Sequence, residues 1–251
     1  MEPKSLKVNL GEGETVTALL YGASRKGRAG WTIILGHGAG ANHLSPFMRL
    51  FASGLAERGI DAVTFNFLYK ERGRSVPDHK TKLEACYAAV ITQALADTRL
   101  KKNRLAIGGK SMGGRIASQV AAAISSGNSE LLSESAVRKA DPNPLNQHSI
   151  SALVFLGYPL HPPGKPEQLR DGHLKGIRAP MLFVQGTRDP FGSPEELRAI
   201  IKKHRLPATL QLIEAGDHSL KVPKSVSSQT EVFESVMDVI RTWLKRLTID
   251  D

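Results

Sequence analysis

Along the chain, short apolar runs alternate with longer segments whose apolar residues recur at helical spacing. Val16 to Tyr21 reads as an early strand. Thr32-Ile33-Ile34-Leu35, closed by Gly36, is a second, and Ala62 to Phe65, Leu105 to Ile107, Ala152 to Leu156, Met181 to Val184 and Leu210 to Ile213 continue the series. Runs that stay apolar residue after residue suit parallel strands covered on both faces; a sheet with one wet face alternates instead.

The intervening segments carry helix signals. Ser45-Pro46 reads as an N-cap followed by proline in the first turn. Phe47, Leu50, Phe51 and Leu55 then form a stripe that Gly59 ends. From Lys80 to about Asp97 the apolar face is Leu83, Tyr87, Val90, Ile91 and Leu95. Near the C-terminus Val232, Phe233, Val236, Met237, Ile240, Trp243, Leu244 and Leu247 form another. These stripes are core faces and carry no chemistry. Strand, helix, strand, helix predicts a mostly parallel sheet with right-handed crossovers and helices on both faces. Two stretches break the rhythm. One is a polar insertion at about 125–148, and the other is a Pro-rich connection at about 159–180 with room for one short helix.

The chain has 251 residues, enough for one substantial core, and we expect a single domain over 1–251. No stretch approaches the roughly 20 apolar residues of a spanning helix, and Met1 to Lys7 lacks the apolar centre of a signal peptide. With Cys86 alone, no internal disulfide forms, and a reducing compartment, the cytoplasm, is expected. The net charge of +10 raises nucleic-acid binding as an option. The basic residues are scattered in small groups without interleaved aromatics, however. A basic solvated surface is the better reading, with neither nucleic acid nor membrane as partner.

The chemistry centres on Gly109-Lys110-Ser111-Met112-Gly113. This G-x-S-x-G follows the strand at Leu105 and opens a helix through Arg115, Ile116 and Val120. Such a sharp strand-to-helix turn strains the serine backbone and exposes Oγ at the carboxyl edge of the sheet. Glycines 109 and 113 are expected because side chains there would collide with neighbouring elements. The helix N-terminus aims N–H groups at charge developing beside the serine. The turn Gly36-His37-Gly38-Ala39-Gly40, after the early strand, is where a second donor belongs. The expected oxyanion hole is the N–H of Ala39 paired with that of Met112. His37 is expected to be structural, bonded to backbone.

An acid is expected after the next-but-one strand, where Gln185-Gly186-Thr187-Arg188-Asp189-Pro190 supplies Asp189. The last strand ends in Ala215-Gly216-Asp217-His218-Ser219, whose His218 is placed to return over the carboxyl edge as base. Asp217 is a rival acid, disfavoured because a side chain adjacent to the base usually points elsewhere. His43, His79, His148, His161, His173 and His204 fall at the wrong places for the base and are expected on the surface.

These residues resemble a known group. Leu35 to Gly40, Gly108 to Arg115, Leu156 to Pro166, Leu169 to Asp171, His173-Leu174, Gln185 to Phe191 and Gly216 to Lys221 are similar to segments of the small α/β-hydrolases related to dienelactone hydrolases. More narrowly they resemble the group of bacterial capless hydrolases and testis-expressed hydrolase-like proteins. The resemblance covers about Val8 to Leu247. It implies the α/β-hydrolase fold without a large cap domain, the triad Ser111, Asp189 and His218, and no cofactor or metal. It supplies no substrate. Dienelactone hydrolases use a cysteine nucleophile, so serine here moves the expectation towards ordinary carboxylic esters, with thioesters and lactones open. The expected partner is a small-molecule ester, and the expected state a monomer or homodimer. Lys110 and Lys165 stand as candidates for attracting anionic substrates, or as plain surface lysines. The rival class is a non-catalytic binding or complex subunit on the same fold. No triad member is missing, which favours the enzyme.

Overall fold

The computed structural model describes residues 2–24, 27–127 and 150–249. Its centre is an eight-stranded sheet in the order β1-β2-β4-β3-β5-β6-β7-β8. The strands are β1 (Lys4–Gly11), β2 (Glu14–Tyr21), β3 (Trp31–Gly36), β4 (Asp61–Phe65), β5 (Arg104–Lys110), β6 (Ile150–Leu156), β7 (Met181–Gly186) and β8 (Ala208–Ile213). From β4 to β8 all neighbours are parallel, while β1 and β2 pair antiparallel at one edge.

The helices are α1 (Pro46–Glu57), α2 (Leu68–Glu71), α3 (Lys80–Ala96), α4 (Met112–Ser125), α5 (Pro194–His204) and α6 (Gln229–Ile249). The central strands alternate between two cores. Ile34, Val63, Phe65, Ile107, Leu153 and Phe155 pack with α3 and α4. Ile33, Leu35, Ala62, Ala106, Val154 and Leu156 pack with α1 and α6 on the opposite face. Both sets of positions must be apolar, which is why these strands read as unbroken apolar runs.

Ser45 stands at the N-cap of α1 with Pro46 in the first turn, but its hydroxyl makes no capping bond and is buried without a partner among the described residues. Strand β1 escapes a search for continuous runs. Its Leu6, Val8 and Leu10 alternate with polar residues, as an edge strand with one solvated face requires. Helix α5 likewise lies outside the apolar stripes of the sequence, although Ser193-Pro194-Glu195-Glu196 is a capping box. Ser193 Oγ accepts from the Glu196 N–H, and Glu196 accepts from the Ser193 N–H.

The polar insertion expected at 125–148 lies, beyond Gly127, outside the described residues. The connection at 159–180 holds one turn of 3-10 helix, Leu174–Gly176. Among the described residues no helix is long and apolar enough to cross a membrane.

Candidate active site

Strand β5 delivers Ser111 to the carboxyl edge of the sheet. Its backbone sits at φ 52°, ψ −117°, between β5 and the first residue of α4. A non-glycine residue in this region carries about 1–3 kcal/mol of strain, tolerated where packing over-determines it. The packing here is specific. A Cβ on Gly113 would lie 2.0 Å from the Gly36 carbonyl oxygen, and one on Gly109 2.2 Å from it. The end of β3 is therefore wedged between the last turn of β5 and the first turn of α4. Beneath, the buried Tyr87 hydroxyl lies 2.7 Å from the Ile34 carbonyl and 2.8 Å from that of Gly108, and accepts from the Gly108 N–H. It ties β3 to β5 just before the turn.

Three side chains from distant parts of the sequence meet at this edge. His218 Nε2 is 2.8 Å from Ser111 Oγ. On the other side of the ring, Nδ1 lies 2.8 and 3.0 Å from the two carboxylate oxygens of Asp189. The Asp189 side chain is fully buried, and the imidazole keeps 18% exposure. The carboxylate has two further donors, Gln185 Nε2 at 2.7 Å and the Phe191 N–H at 2.9 Å. The Phe191 ring stacks on the imidazole at 4.1 Å. Asp217, the rival acid, turns away. Its Oδ1 accepts from the Ser219 and Lys221 N–H groups and so builds the turn that carries His218.

The Gly36–Gly40 turn lies against the serine. A Cβ on Gly38 would sit 3.7 Å from that of Ser111. The Ala39 carbonyl accepts from the Tyr69 hydroxyl at 2.7 Å, which anchors this peptide. Among the described residues neither the Ala39 nor the Met112 N–H has an acceptor; Met112 opens α4, where none exists within the helix.

His37 is buried and bonded to backbone. Nδ1 donates to the Gly38 carbonyl at 2.8 Å, and Nε2 accepts from the Phe67 N–H. Burial pushes its pKa down to about 4, so the ring is neutral. The other histidines do not all lie on the surface. His43 and His161 are buried, His173 is partly buried against Ser118, His204 pairs with Asp171, and His79 is exposed. His148 falls outside the described residues.

Sequence reasoning missed Gln185 and Phe191 as supports of the acid and the ring. Gln185 lies inside an apolar strand, and a polar residue in such a run was the available signal. Lys110 is no plain surface lysine. Its Nζ donates to the His218 carbonyl, fastening the histidine turn to the residue next to Ser111. A hydroxyl, an imidazole and a buried carboxylate bonded in series form the arrangement that lets an imidazole remove a hydroxyl proton.

A family model described as an alpha/beta hydrolase domain matches residues 29–245. The chain belongs to the alpha/beta hydrolase family. Solved structures carry the same fold at low identity. The dienelactone hydrolase from Anabaena variabilis superimposes on this alpha/beta hydrolase with a TM-score of 0.67 at 16% identity, covering 98% of this chain and 99% of that one. A serine hydrolase without lid from Xanthomonas campestris gives 0.62 at 16%, covering 100% and 95%. An alpha-beta serine hydrolase homologue from Coxiella burnetii gives 0.65 at 16%, covering 98% and 97%. Like the lidless structure, this alpha/beta hydrolase carries no large cap among its described residues. Among the described residues the connection after β4 holds α2, and that between β6 and β7 holds the 3-10 turn. A groove of about 670 Å³ bordered by Thr209, Gln211, Glu234 and Trp243 opens between β8 and α6, and Ser111, Asp189 and His218 do not line it.

Proposed function

We propose that this alpha/beta hydrolase cleaves carboxylic esters by acyl transfer through Ser111. The observation that carries the reading is the unbroken series Ser111 Oγ, His218 imidazole and Asp189 carboxylate, each link 2.8 Å. His218 takes the hydroxyl proton as Ser111 attacks the carbonyl, and Asp189 holds the ring and stabilises the imidazolium. The Ala39 and Met112 N–H groups stabilise the oxyanion. His218 then protonates the leaving alcohol and activates a water that releases the acid. Thioesters and lactones present the same acyl chemistry.

With no large cap above the sheet edge among the described residues, the site suits small acyl groups or one exposed end of a larger substrate. The reading takes the chain as a single domain acting without cofactor, as a monomer or homodimer. The thiol of Cys86 is buried, and burial pushes its pKa up to about 12, which fits an inert cysteine in the cytoplasm.

A fluorophosphonate probe tests the reading. Labelling with a mass adduct on the peptide containing Ser111, lost in Ser111→Ala, is the expected result. A folded wild type that takes no label points to a non-catalytic protein on this fold.

A further inference from the structure

The proposed reaction places a positive charge on the His218 ring twice, once in acylation and once in deacylation. Asp189 answers that charge at one edge only, through Nδ1. One face of the ring is covered by carbon instead. The Phe191 ring stacks on it with centroids 4.1 Å apart and planes 29° from parallel. Neutral aromatic rings pack better offset or edge-on. Phe65 and Tyr87 do so in the core, at 5.0 Å and 81°. A cation gains from the face, because the π cloud is negative there, and the gain grows as water is excluded. With 18% exposure the imidazole is largely shielded.

The backbone sets the phenyl ring where it is. The Phe191 N–H donates to Asp189 Oδ1 at 2.9 Å, and the Phe191 carbonyl accepts from the His161 N–H at 3.1 Å. Pro190 fixes φ at the position before it. Gln185 Nε2 closes the turn on the Gly192 carbonyl at 3.0 Å. The carboxylate that grips Nδ1 thus also orients the peptide carrying the ring. Phe191 stays partly exposed, so burial in the core does not account for an aromatic side chain here.

We infer that Phe191 is a positioning residue of the reaction: its π face holds the imidazole against Ser111 Oγ and stabilises the imidazolium of both steps. The inference rests on the proposed hydrolase function. In acylation Nε2 takes the Ser111 proton and hands it to the leaving alcohol. In deacylation Nε2 takes a proton from water and returns it to Ser111 Oγ. Between the two the ring is neutral and the gain is absent. An interaction that strengthens only as charge develops lowers the barrier without tightening substrate binding. Both steps slow alike when it is removed, so the loss falls on kcat and KM holds.

The test replaces Phe191 with 4-fluoro-, 3,5-difluoro- and pentafluorophenylalanine, which keep the size of the ring while progressively withdrawing charge from its face. With 4-nitrophenyl butyrate, kcat should fall in that order, by about tenfold at the last member, with KM little changed. Phe191→Leu should fall about as far, and Phe191→Tyr should stay within about twofold of the wild type. The backbone N–H to Asp189 survives in every variant, and the fluorinated series decides the matter if Phe191→Leu folds poorly. A kcat that is flat across the series, or a change confined to KM, overturns the inference and leaves the hydrolase reading standing. A folded wild type that neither takes the fluorophosphonate label nor turns over esters overturns both.

Discussion

Replacing Lys110 with methionine separates two consequences of one part-buried ammonium. Its bond to the His218 carbonyl has a charged donor and is worth about 1.5–3 kcal/mol. Against this, burial holds the amine at about 8 instead of 10.5, with Asp189 and then Asp217 opposing the shift. A displacement of that size disfavours the charged form in the folded protein by about 3 kcal/mol at neutral pH. The two effects nearly cancel. Methionine keeps the length and packs without charge, so stability at pH 7 should change by no more than about 1–2 kcal/mol.

The dependence on pH separates them. The unfolded chain keeps this proton up to about 10.5 and the folded chain only up to about 8. Between those limits the unfolded state holds more protons, so this group makes stability rise with pH. Urea unfolding at pH 7 and pH 9.5 should show the wild type gaining about 2 kcal/mol relative to Lys110→Met. The histidine turn of the variant, released from the elbow, should lower kcat on a 4-nitrophenyl ester about tenfold with KM little changed. The wild type should also lose activity above about pH 8, where the ammonium is discharged. Stability profiles that run parallel across this range, together with unchanged kcat, would refute the reasoning.

Asp189→Asn keeps the shape but loses the charge that orients the ring, and kcat should fall by about 10⁴ with the fold retained by circular dichroism; a loss under tenfold contradicts the assignment. Gln185→Leu removes a donor from the Asp189 carboxylate and strips the buried Tyr158 N–H and Gly192 carbonyl of their partner. Urea unfolding should register a loss of about 3 kcal/mol or more, and a neutral result would show that the amide is dispensable. His37 and His173 are held by burial at about 4. As the unfolded chain takes up protons near 6.5, stability should fall between pH 6.5 and 4, by about 2–3 kcal/mol per ring. A urea midpoint that stays flat from pH 7 to 4.5 contradicts the neutral assignment.

The central strands and the order of the candidate site's loops are legible because they are local patterns. Apolar runs announced β3 to β8, and Ser111, Asp189 and His218 each follow a strand end. Strand β1 and helix α5 are legible too, but through other patterns: alternation at Leu6, Val8 and Leu10, and the box from Ser193 to Glu196. The supports of the site are not. Gln185 reads as a polar interruption, Phe191 as a residue after a turn, and Lys110 as the variable position of a pentapeptide. What they do depends on groups 4 to 108 residues away in sequence, and no local pattern encodes such distances.

The wedge of the Gly36 carbonyl between Gly109 and Gly113 has a mechanical meaning. The loop bearing Ala39 grows from one end of that wedge and the helix bearing Met112 from the other, so the same close packing that seats the serine also sets the two amides of the proposed oxyanion hole, and all three form one jaw of the cleft. The opposite jaw, the turns around Asp189 and His218, is held to this one across the gap by the Lys110 bond to the His218 carbonyl and by the Ser111–His218 contact.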